Sequence, residues 1–196
     1  MIQTPVLETP RLILRPLCRE DAPAMQAQFP RWEIVRLMDG AIPWPYPDDG
    51  CLTYLTTVAL PAAAAGEAWH WSIRRKAAPD ALIGVVSLML KPDDNRGFWL
   101  STDHQGQGLM IEASSAATDF WFEGLGHPVL RVPKAADNAA SRRISERVGM
   151  RVVETFDKAL VCGVHPCELW EITHEAWRAY RAGTAATTGQ GPAATP

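Results

Sequence analysis

The chain has 196 residues, a mass of 21.6 kDa and a formal charge of −3 from 19 basic and 22 acidic side chains. A protein that binds nucleic acid through phosphate contacts is usually basic, so this class is disfavoured. No run of about 18 apolar residues occurs, and the N-terminus has neither a basic start nor an apolar core. We therefore expect a cytoplasmic globular protein with no nucleic-acid partner, no membrane partner and no secretory signal.

The four cysteines form no CxxC pair: Cys18, Cys51, Cys162 and Cys167. Without a secretory signal, reduced thiols are the expected state. Cys162, His165 and Cys167 lie close together in sequence, but they lack a fourth ligand and the usual spacing of a zinc site. No metal is predicted.

The first third of the chain mixes one strand with short helices. Arg11 to Arg15 alternates and is closed by a proline, which predicts a strand. Glu20 to Phe29 and Glu33 to Met38 are predicted to be helical. The segment Ala41 to Asp49 is proline-rich and predicts an irregular loop, and Cys51 to Leu60 is placed as a further helix.

Three strands are predicted next, at Ala68 to Arg75, Ala81 to Leu90 and Arg96 to Ser101. The first alternates, and the second is a nearly continuous apolar run that is typical of a strand covered on both faces. Because the links between them are short, the three strands are predicted to form an antiparallel meander.

The last part of the chain alternates helices and strands. Helices are predicted at 109–122, 138–148 and 173–180, and strands at 128–133, 150–156 and 167–173. The order predicts an α+β fold of mixed α/β layers, in which helices cover both faces of a central, mostly antiparallel sheet. One domain over residues 1–182 is expected, followed by a flexible tail at 183–196 that has no charge and only small, polar or breaker residues.

The most informative motif is the glycine-rich turn Gln105-Gly-Gln-Gly108, which stands between a strand and a helix. Free amides at a helix N-terminus bind phosphate groups, and glycine lets a ligand approach the backbone. A dinucleotide fingerprint fails because Ile111 replaces the third small residue, and no P-loop is present. By spacing alone, a phosphate site and a simple tight turn both remain open.

Four segments together resemble the GNAT superfamily of acetyl-CoA-dependent N-acetyltransferases, and within it the RimJ/RimL-type branch. They are Thr9–Pro16 (TPRLILRP), Gly97–Leu100 (GFWL), Gln105–Met110 (QGQGLM) and Asn138–Met150 (NAASRRISERVGM). The resemblance covers residues 5 to 180. It implies the corresponding fold, with a central mostly antiparallel sheet, and acetyl-CoA as co-substrate.

The resemblance also implies residue roles. In the family two neighbouring strands separate and the pantetheine arm of CoA lies between them. The implied cofactor-binding residues are Leu100, Ser101, Thr102, Gln105, Gly106, Gln107, Gly108, Leu109, Met110, Asn138 and Arg142. The backbone N–H near Leu100 is implied as the oxyanion donor and Ser141 as the proton donor to the leaving thiolate. For Asn138 a plain helix cap and for Ser141 a solvated hydroxyl remain the alternatives.

Two positions depart from the family pattern. Met110 stands where a small residue is usual, and Asn95 stands where the family often has a glutamate that acts as base. An asparagine cannot take up a proton at neutral pH. We therefore expect a water relay for proton removal, with Glu168 as a second choice and with Asp94 needing a bulge to reach the site.

The predicted reaction is direct attack of a primary amine on acetyl-CoA, without a covalent enzyme intermediate. The acceptor can be a protein N-terminus or a small molecule, with Trp44 and Tyr46 of the proline-rich loop lining its pocket or making a packing or homodimer contact. The alternative function is a non-catalytic acyl-CoA-binding or sensing module, which the missing base permits.

Overall fold

The computed structural model describes residues 2–188. Its strands form two antiparallel sheets. The first has the order β1-β2-β3-β4-β5 and the second the order β6-β8-β7. The strands are β1 (Leu7–Glu8), β2 (Leu12–Pro16), β3 (Ala68–Arg75), β4 (Ala78–Met89), β5 (Arg96–Leu100), β6 (Val129–Ala135), β7 (Arg151–Leu160) and β8 (Gly163–Thr173).

Helices lie on both faces of the first sheet, as predicted. The helices are α1 (Ala22–Gln26), α2 (Trp32–Val35), α3 (Gly50–Tyr54), α4 (Leu60–Ala65), α5 (Leu109–Asp119), α6 (Ala139–Arg147) and α7 (His174–Thr188), of which α7 packs on β8 of the second sheet. π-helical turns join α3 to α4 at Leu55–Ala59 and follow α5 at Phe120–Gly124.

Two hydrophobic cores follow from the alternation of side chains along the strands. Trp71 and Val86 face α5 in the larger core, whereas Val85 and Trp99 face α1 to α4 in the smaller one. β4 contributes to both cores, which explains its continuous apolar sequence.

The two sheets meet at Asn95 and Arg131 and then separate. The Asn95 N–H donates to the Arg131 carbonyl at 2.8 Å, and the Arg131 N–H donates to Asn95 Oδ1 at 2.9 Å. Beyond this point β5 pairs only with β4, and β6 only with β8. The result is a wedge-shaped gap, called the wedge below, which is closed at Asn95 and open toward Leu100 and Ala135.

The structure corrects several predicted boundaries. The strand predicted to end at Pro133 continues to Ala135, because β6 pairs along one edge only and a proline facing the gap loses no ladder bond. The predicted strands near the C-terminus extend to meet in a hairpin at Leu160 and Gly163. The two-residue strand β1 was not predicted.

The last helix, predicted to end at Tyr180, runs to Thr188. It includes Gly183, whose helix penalty of about 1 kcal/mol is offset by neighbouring alanines. The helix therefore takes up the first residues of the segment predicted as a flexible tail. Residues 189–196 of that predicted tail lie outside the described residues.

One buried polar pair links the central strands. Nδ1 of His70 on β3 and Oγ of Ser87 on β4 share a hydrogen bond of 2.7 Å, and His70 Nε2 has no partner among the described residues. Burial, with a smaller contribution from Lys91, lowers the pKa of His70 from 6.5 to about 4. The imidazole is therefore neutral in the folded protein at neutral pH.

His70 should make the protein sensitive to mild acid. The unfolded chain takes up this proton near pH 6.5 and the folded chain only near pH 4, so stability is complete above pH 6.5 and falls as the pH drops to 4. The expected loss is about 3 kcal/mol. Urea unfolding of the wild type and of His70→Gln over this pH range checks it, and equal pH dependence in the two proteins would contradict it.

Candidate functional site

A row of unpaired backbone amides lies at the open end of the wedge. Gly106 and Gly108 have φ of 74° and 73°, a left-handed conformation that favours glycine. Gly108 caps α5. None of the amides from Gly106 to Ile111 finds an acceptor among residues 2–188. These donors and the positive end of the α5 dipole are suited to an anion such as a pyrophosphate.

The N-terminal strand region holds this loop in place. Arg11 Nε pairs with Glu112 Oε2 at 2.6 Å, and Arg11 Nη1 donates to the Gln107 carbonyl at 3.0 Å. The Thr9 hydroxyl donates to Glu112 Oε1 at 2.6 Å. Burial opposes ionisation, but the hydrogen bonds from Thr9 and Arg11 hold the pKa of Glu112 below its ordinary value. Arg11 thereby places a guanidinium beside the amide row, with its charge balanced by Glu112.

The ladder geometry of β5 turns alternate backbone groups into the wedge. The Met89 N–H donates to the Asn95 carbonyl and the Ser101 N–H to the Ile83 carbonyl, so odd-numbered residues of this segment bond to β4. In an antiparallel ladder the groups between them point the other way. The N–H of Leu100 therefore faces the wedge, where the sequence predicted an oxyanion donor.

The three predicted residues that follow Leu100 in the site, Ser101, Thr102 and Gln105, differ in which of their hydrogen-bonding groups are already paired. Ser101 uses both backbone groups, since its carbonyl also accepts from the His104 N–H at 3.0 Å. Its N–H is therefore not free for pairing with a pantetheine arm, whereas its carbonyl can accept one further hydrogen bond. The Thr102 carbonyl accepts from Gln105 N–H, and its hydroxyl accepts from Arg31 at 3.0 Å. The Gln105 side chain braces the turn by donating to the Leu100 carbonyl at 2.9 Å.

Leu109 and Met110 are both buried in the larger core at the start of α5. The long side chain of Met110 therefore packs into the interior and does not crowd the amide row, which leaves the backbone of this turn accessible.

The N-terminus of α6 stands over the same wedge. Asn138 Oδ1 accepts from the Ser141 N–H at 3.1 Å, so Asn138 caps the helix. A helix cap was the alternative to a cofactor-binding role for this residue. Its amide nitrogen has no acceptor among the described residues. Arg142 is engaged by neighbouring groups, because its Nε pairs with Glu168 at 3.1 Å and its guanidinium lies over the Trp170 ring. Its contact with a CoA phosphate stays a prediction.

A lysine that the sequence analysis did not single out lies beside Ser141. Lys134 Nζ on β6 donates to Ser141 Oγ at 2.8 Å and lies 5.6 Å from the centre of the Phe98 ring on β5. The side chain is buried and forms no ion pair among the described residues. Burial, followed by the charge of Arg96, lowers the pKa of Lys134 well below its ordinary value.

A cavity of about 380 Å³ opens on the other face of the sheets, beside the closed end of the wedge. We call it the apex cavity. Its apolar wall includes Pro133, Phe156 and Leu169. Pro133 and Leu169 are paired across β6 and β8 and point away from the face that carries Lys134. The apex cavity and the Ser141–Lys134 pair thus approach the wedge from opposite faces.

Two carboxylates of the apex cavity, Asp94 and Glu154, have no ion-pair partner among residues 2–188, and Asp94 is the one beside the closed end of the wedge. Asp93 is ion-paired with Arg131 and Lys158 with Asp39, but no hydrogen bond from residues 2–188 reaches the Asp94 carboxylate. Asp93 has φ of 58°, a left-handed conformation, and Asp94 lies with it in the turn before β5, outside the β4–β5 ladder. Burial raises the pKa of Asp94, against the opposing charges of Lys158 and Lys91.

Glu168, the second choice for a base, is already engaged. One oxygen, Oε2, contacts both Arg142 Nε at 3.1 Å and Trp170 Nε1 at 3.0 Å. This oxygen is therefore already occupied by two donors. Of the two carboxylates considered, the geometry favours Asp94.

The aromatic residues of the proline-rich loop have different surroundings. Tyr46 packs edge-on against Phe29 and covers Gly50, so it contributes to the smaller core. Trp44 is exposed and lies against Trp32, with ring centres 5.4 Å apart. Packing accounts for Tyr46, whereas a substrate-binding role for Trp44 stays a prediction.

Neither a metal cluster nor a membrane-spanning helix is found in the described part of the chain. Residues 2–188 contain no group of three or more His, Cys, Asp or Glu side chains placed to hold a metal ion. None of their helices is both long enough and apolar enough to cross a bilayer.

Sequence and structure comparisons identify relatives over most of the chain. A family model described as "Acetyltransferase (GNAT) domain" matches residues 11–151. The chain is 28% identical over 151 residues to YoaA of Bacillus subtilis (strain 168), described as an uncharacterized N-acetyltransferase, and the match covers 75% of this chain and 83% of that protein.

Solved structures share the fold. RimL, a ribosomal L7/L12 alpha-N-protein acetyltransferase in complex with coenzyme A, superposes with a TM-score of 0.74 at 18% identity, over 88% of this chain and 99% of that one. Mycobacterium smegmatis RimJ in complex with CoA-disulfide superposes with a TM-score of 0.76 at 16% identity, over 93% of each chain.

Proposed function

The chain belongs to the GNAT family of acetyl-CoA-dependent N-acetyltransferases, and from this membership we propose that it transfers an acetyl group to a primary amine that docks in the apex cavity. The observation that carries the proposal is the wedge, which has an unpaired amide row at its open end and a cavity at its closed end. The residues present fit CoA: the amides from Gly106 to Ile111 would hold the pyrophosphate and Asn138 the pantetheine arm. Acetyl-CoA supplies the acyl group as a thioester.

The acceptor is proposed to be a cationic amine, and a peptide N-terminus is the favoured form. Asp94 and Glu154 line the apex cavity without ion-pair partners among residues 2–188, which suits a protonated amine before it loses its proton. RimL, similar in fold, is named for a protein amine acceptor. A cytoplasmic location is favoured by relatives that are named for ribosomal proteins, and a homodimer stays a prediction.

Three residues of the chain are proposed to assist separate steps of the reaction. Asp94 takes a proton from the bound ammonium through water, because about six extended residues, roughly 20 Å, separate Asp94 from Leu100. The proton must leave first, since an ammonium has no lone pair for attack. The free amine attacks the carbonyl carbon, the Leu100 N–H stabilises the developing oxyanion, and Ser141 Oγ–H protonates the leaving sulfur. Binding both reactants in one wedge supplies much of the rate by proximity.

Release of CoA thiol with a panel of peptide and small-molecule amines tests the reaction. Release of the CoA thiol from acetyl-CoA in the presence of at least one amine supports the proposed acetyl transfer. Binding of acetyl-CoA without release across the panel would instead favour the alternative of a non-catalytic acyl-CoA-binding module, which the asparagine at position 95 motivates.

Replacing the proposed base should change the pH dependence. We expect Asp94→Asn to lower kcat/KM by about 10- to 100-fold at neutral pH. In the wild type the rate should fall as the pH drops through the raised pKa of Asp94, because only the carboxylate accepts a proton. In the variant the rate should instead follow deprotonation of the acceptor amine alone.

Asp93→Asn is the matched control, because Asp93 is the adjacent carboxylate but is paired with Arg131. Asparagine also tolerates the left-handed backbone at this position. Equal kcat/KM profiles for Asp94→Asn and Asp93→Asn would remove Asp94 from the mechanism and return proton removal to a water relay.

A further inference from the structure

Lys134 is the buried cationic side chain closest to the proposed proton donor, and no step described above uses it. Its Nζ donates to Ser141 Oγ at 2.8 Å, and the side chain is 8% exposed. Burying an ammonium without a carboxylate partner is costly, so a lysine at this point needs an explanation.

We propose that Lys134 supplies, through the hydroxyl of Ser141, the proton that the CoA sulfur takes up as it leaves. The inference rests on the proposed acetyl transfer and deepens it. Ser141 contacts the sulfur in this scheme and is the catalytic residue. Lys134 acts only through Ser141 and is a positioning residue that also replenishes its proton.

The step balances in atoms and charge. The acceptor nitrogen forms a bond to the carbonyl carbon, and the carbon–sulfur bond breaks with its electron pair on sulfur. Ser141 Oγ–H gives its proton to the sulfur and receives one from the Lys134 ammonium. Lys134 is left as a neutral amine and regains a proton from water after CoA departs.

The surroundings of Lys134 favour this donation. Arg96 on β5 adds a second positive charge. Glu168 on β8 is the ladder partner of Lys134, but its charge is balanced by Arg142 of α6. Ser141 is its only hydrogen-bond acceptor among the described residues. With the pKa of Lys134 lowered chiefly by burial, its ammonium releases a proton more readily than that of an exposed lysine.

The geometry also explains why the lysine stays in place. Its Nζ lies over the Phe98 ring at 5.6 Å, a cation–π contact that holds the amine at the wall of the wedge. Arg96 lies on the same ring at 5.9 Å, but its guanidinium points to Thr118 Oγ1 at 2.8 Å and so does not compete for Ser141.

The test compares Lys134→Met with Lys76→Met, the control at an exposed lysine that pairs with Glu8. We expect Lys134→Met to fold and to be at least as resistant to urea as the wild type, because an uncompensated buried cation is removed. Its kcat should nevertheless fall by about 10- to 100-fold. The wild-type kcat should decline as the pH rises through the lowered pKa of Lys134, and this decline should be absent from Lys134→Met.

A second readout needs no acceptor amine and separates this inference from the proposed function. The ultraviolet absorbance of the thiolate reports ionisation of CoA bound to each protein. The cation should lower the thiol pKa in the wild type and in Lys76→Met relative to Lys134→Met. That result supports the proposal even if no amine in the panel is acetylated.

Three results would overturn the proposal. The first is an unchanged kcat in Lys134→Met, or the same decline of kcat with rising pH as in the wild type. The second is an equal thiol pKa of bound CoA in wild type and Lys134→Met. The third is an acetyl group on Lys134 itself after incubation with acetyl-CoA, detected by mass spectrometry. It would show that the amine is a nucleophile in this position and not a proton donor.

Discussion

Gly108→Glu is expected to abolish the stabilisation that acetyl-CoA confers on the protein. At a hundredfold excess over Kd, a ligand that binds only the folded state raises stability by about 2.7 kcal/mol. Gly108 caps α5 with φ of 73° and stands within the row of unpaired amides. A glutamate there adds a side chain and a negative charge where the pyrophosphate is proposed to bind. Thermal unfolding with and without acetyl-CoA measures the effect.

Gly126→Glu is the control that distinguishes the effect of backbone strain on stability from the loss of acetyl-CoA binding. Gly126 also has φ of 73° with open space around it, but it lies after α5 and outside the amide row. Both variants should lose about 1–2 kcal/mol of intrinsic stability from the left-handed backbone. Only Gly108→Glu should lose the response to acetyl-CoA. A wild-type response in Gly108→Glu would show that the amide row is not the CoA site.

Ser141→Ala should lower kcat by about 100-fold or more, with a smaller change in the KM for acetyl-CoA. General acids contribute roughly 10²- to 10⁴-fold, and a water molecule can replace part of that. The substitution also removes the acceptor for Lys134 Nζ, so we expect a loss of about 1–3 kcal/mol of unfolding free energy. Steady-state kinetics and urea unfolding measure the two effects independently.

Ser145→Ala is the matched control on the same face of α6, one turn further along. Ser145 is fully buried, and its hydroxyl has no partner among the described residues. Removing an unsatisfied buried hydroxyl should leave kcat unchanged and stability unchanged or higher. If Ser141→Ala behaves like Ser145→Ala, Ser141 has no part in proton transfer.

Local sequence signals were sufficient to predict the glycine-rich turn, its free amides and the helix that follows. The position of Gly106 and Gly108 between a strand and an apolar helix predicts a turn followed by free amides at a helix N-terminus, and the structure has both. The α+β fold and the meander of β3, β4 and β5 were likewise confirmed, because short links and alternation restrict the possible pairings.

Residues that act through long-range contacts were harder to foresee. Lys134 follows Pro133, where the strand was predicted to end, so its position on β6 and its contact with Ser141 depend on how two sheets diverge. Arg11 and Glu112 are distant in sequence, and their ion pair depends on how β2 is placed beside α5. Propensity and periodicity contain no information on such placements.

The asparagine at position 95 has a consequence for any attempt to install a family-like glutamate there. Its side chain accepts from the Arg131 N–H and donates to the Lys91 carbonyl at 2.8 Å, so it joins two sheets and a turn. A glutamate has no amide hydrogen to give, and its charge would face a backbone carbonyl. Engineering a base at this position would therefore break the bond to the turn at Lys91 beside the point from which the two sheets diverge, and a designer would do better to start from Asp94.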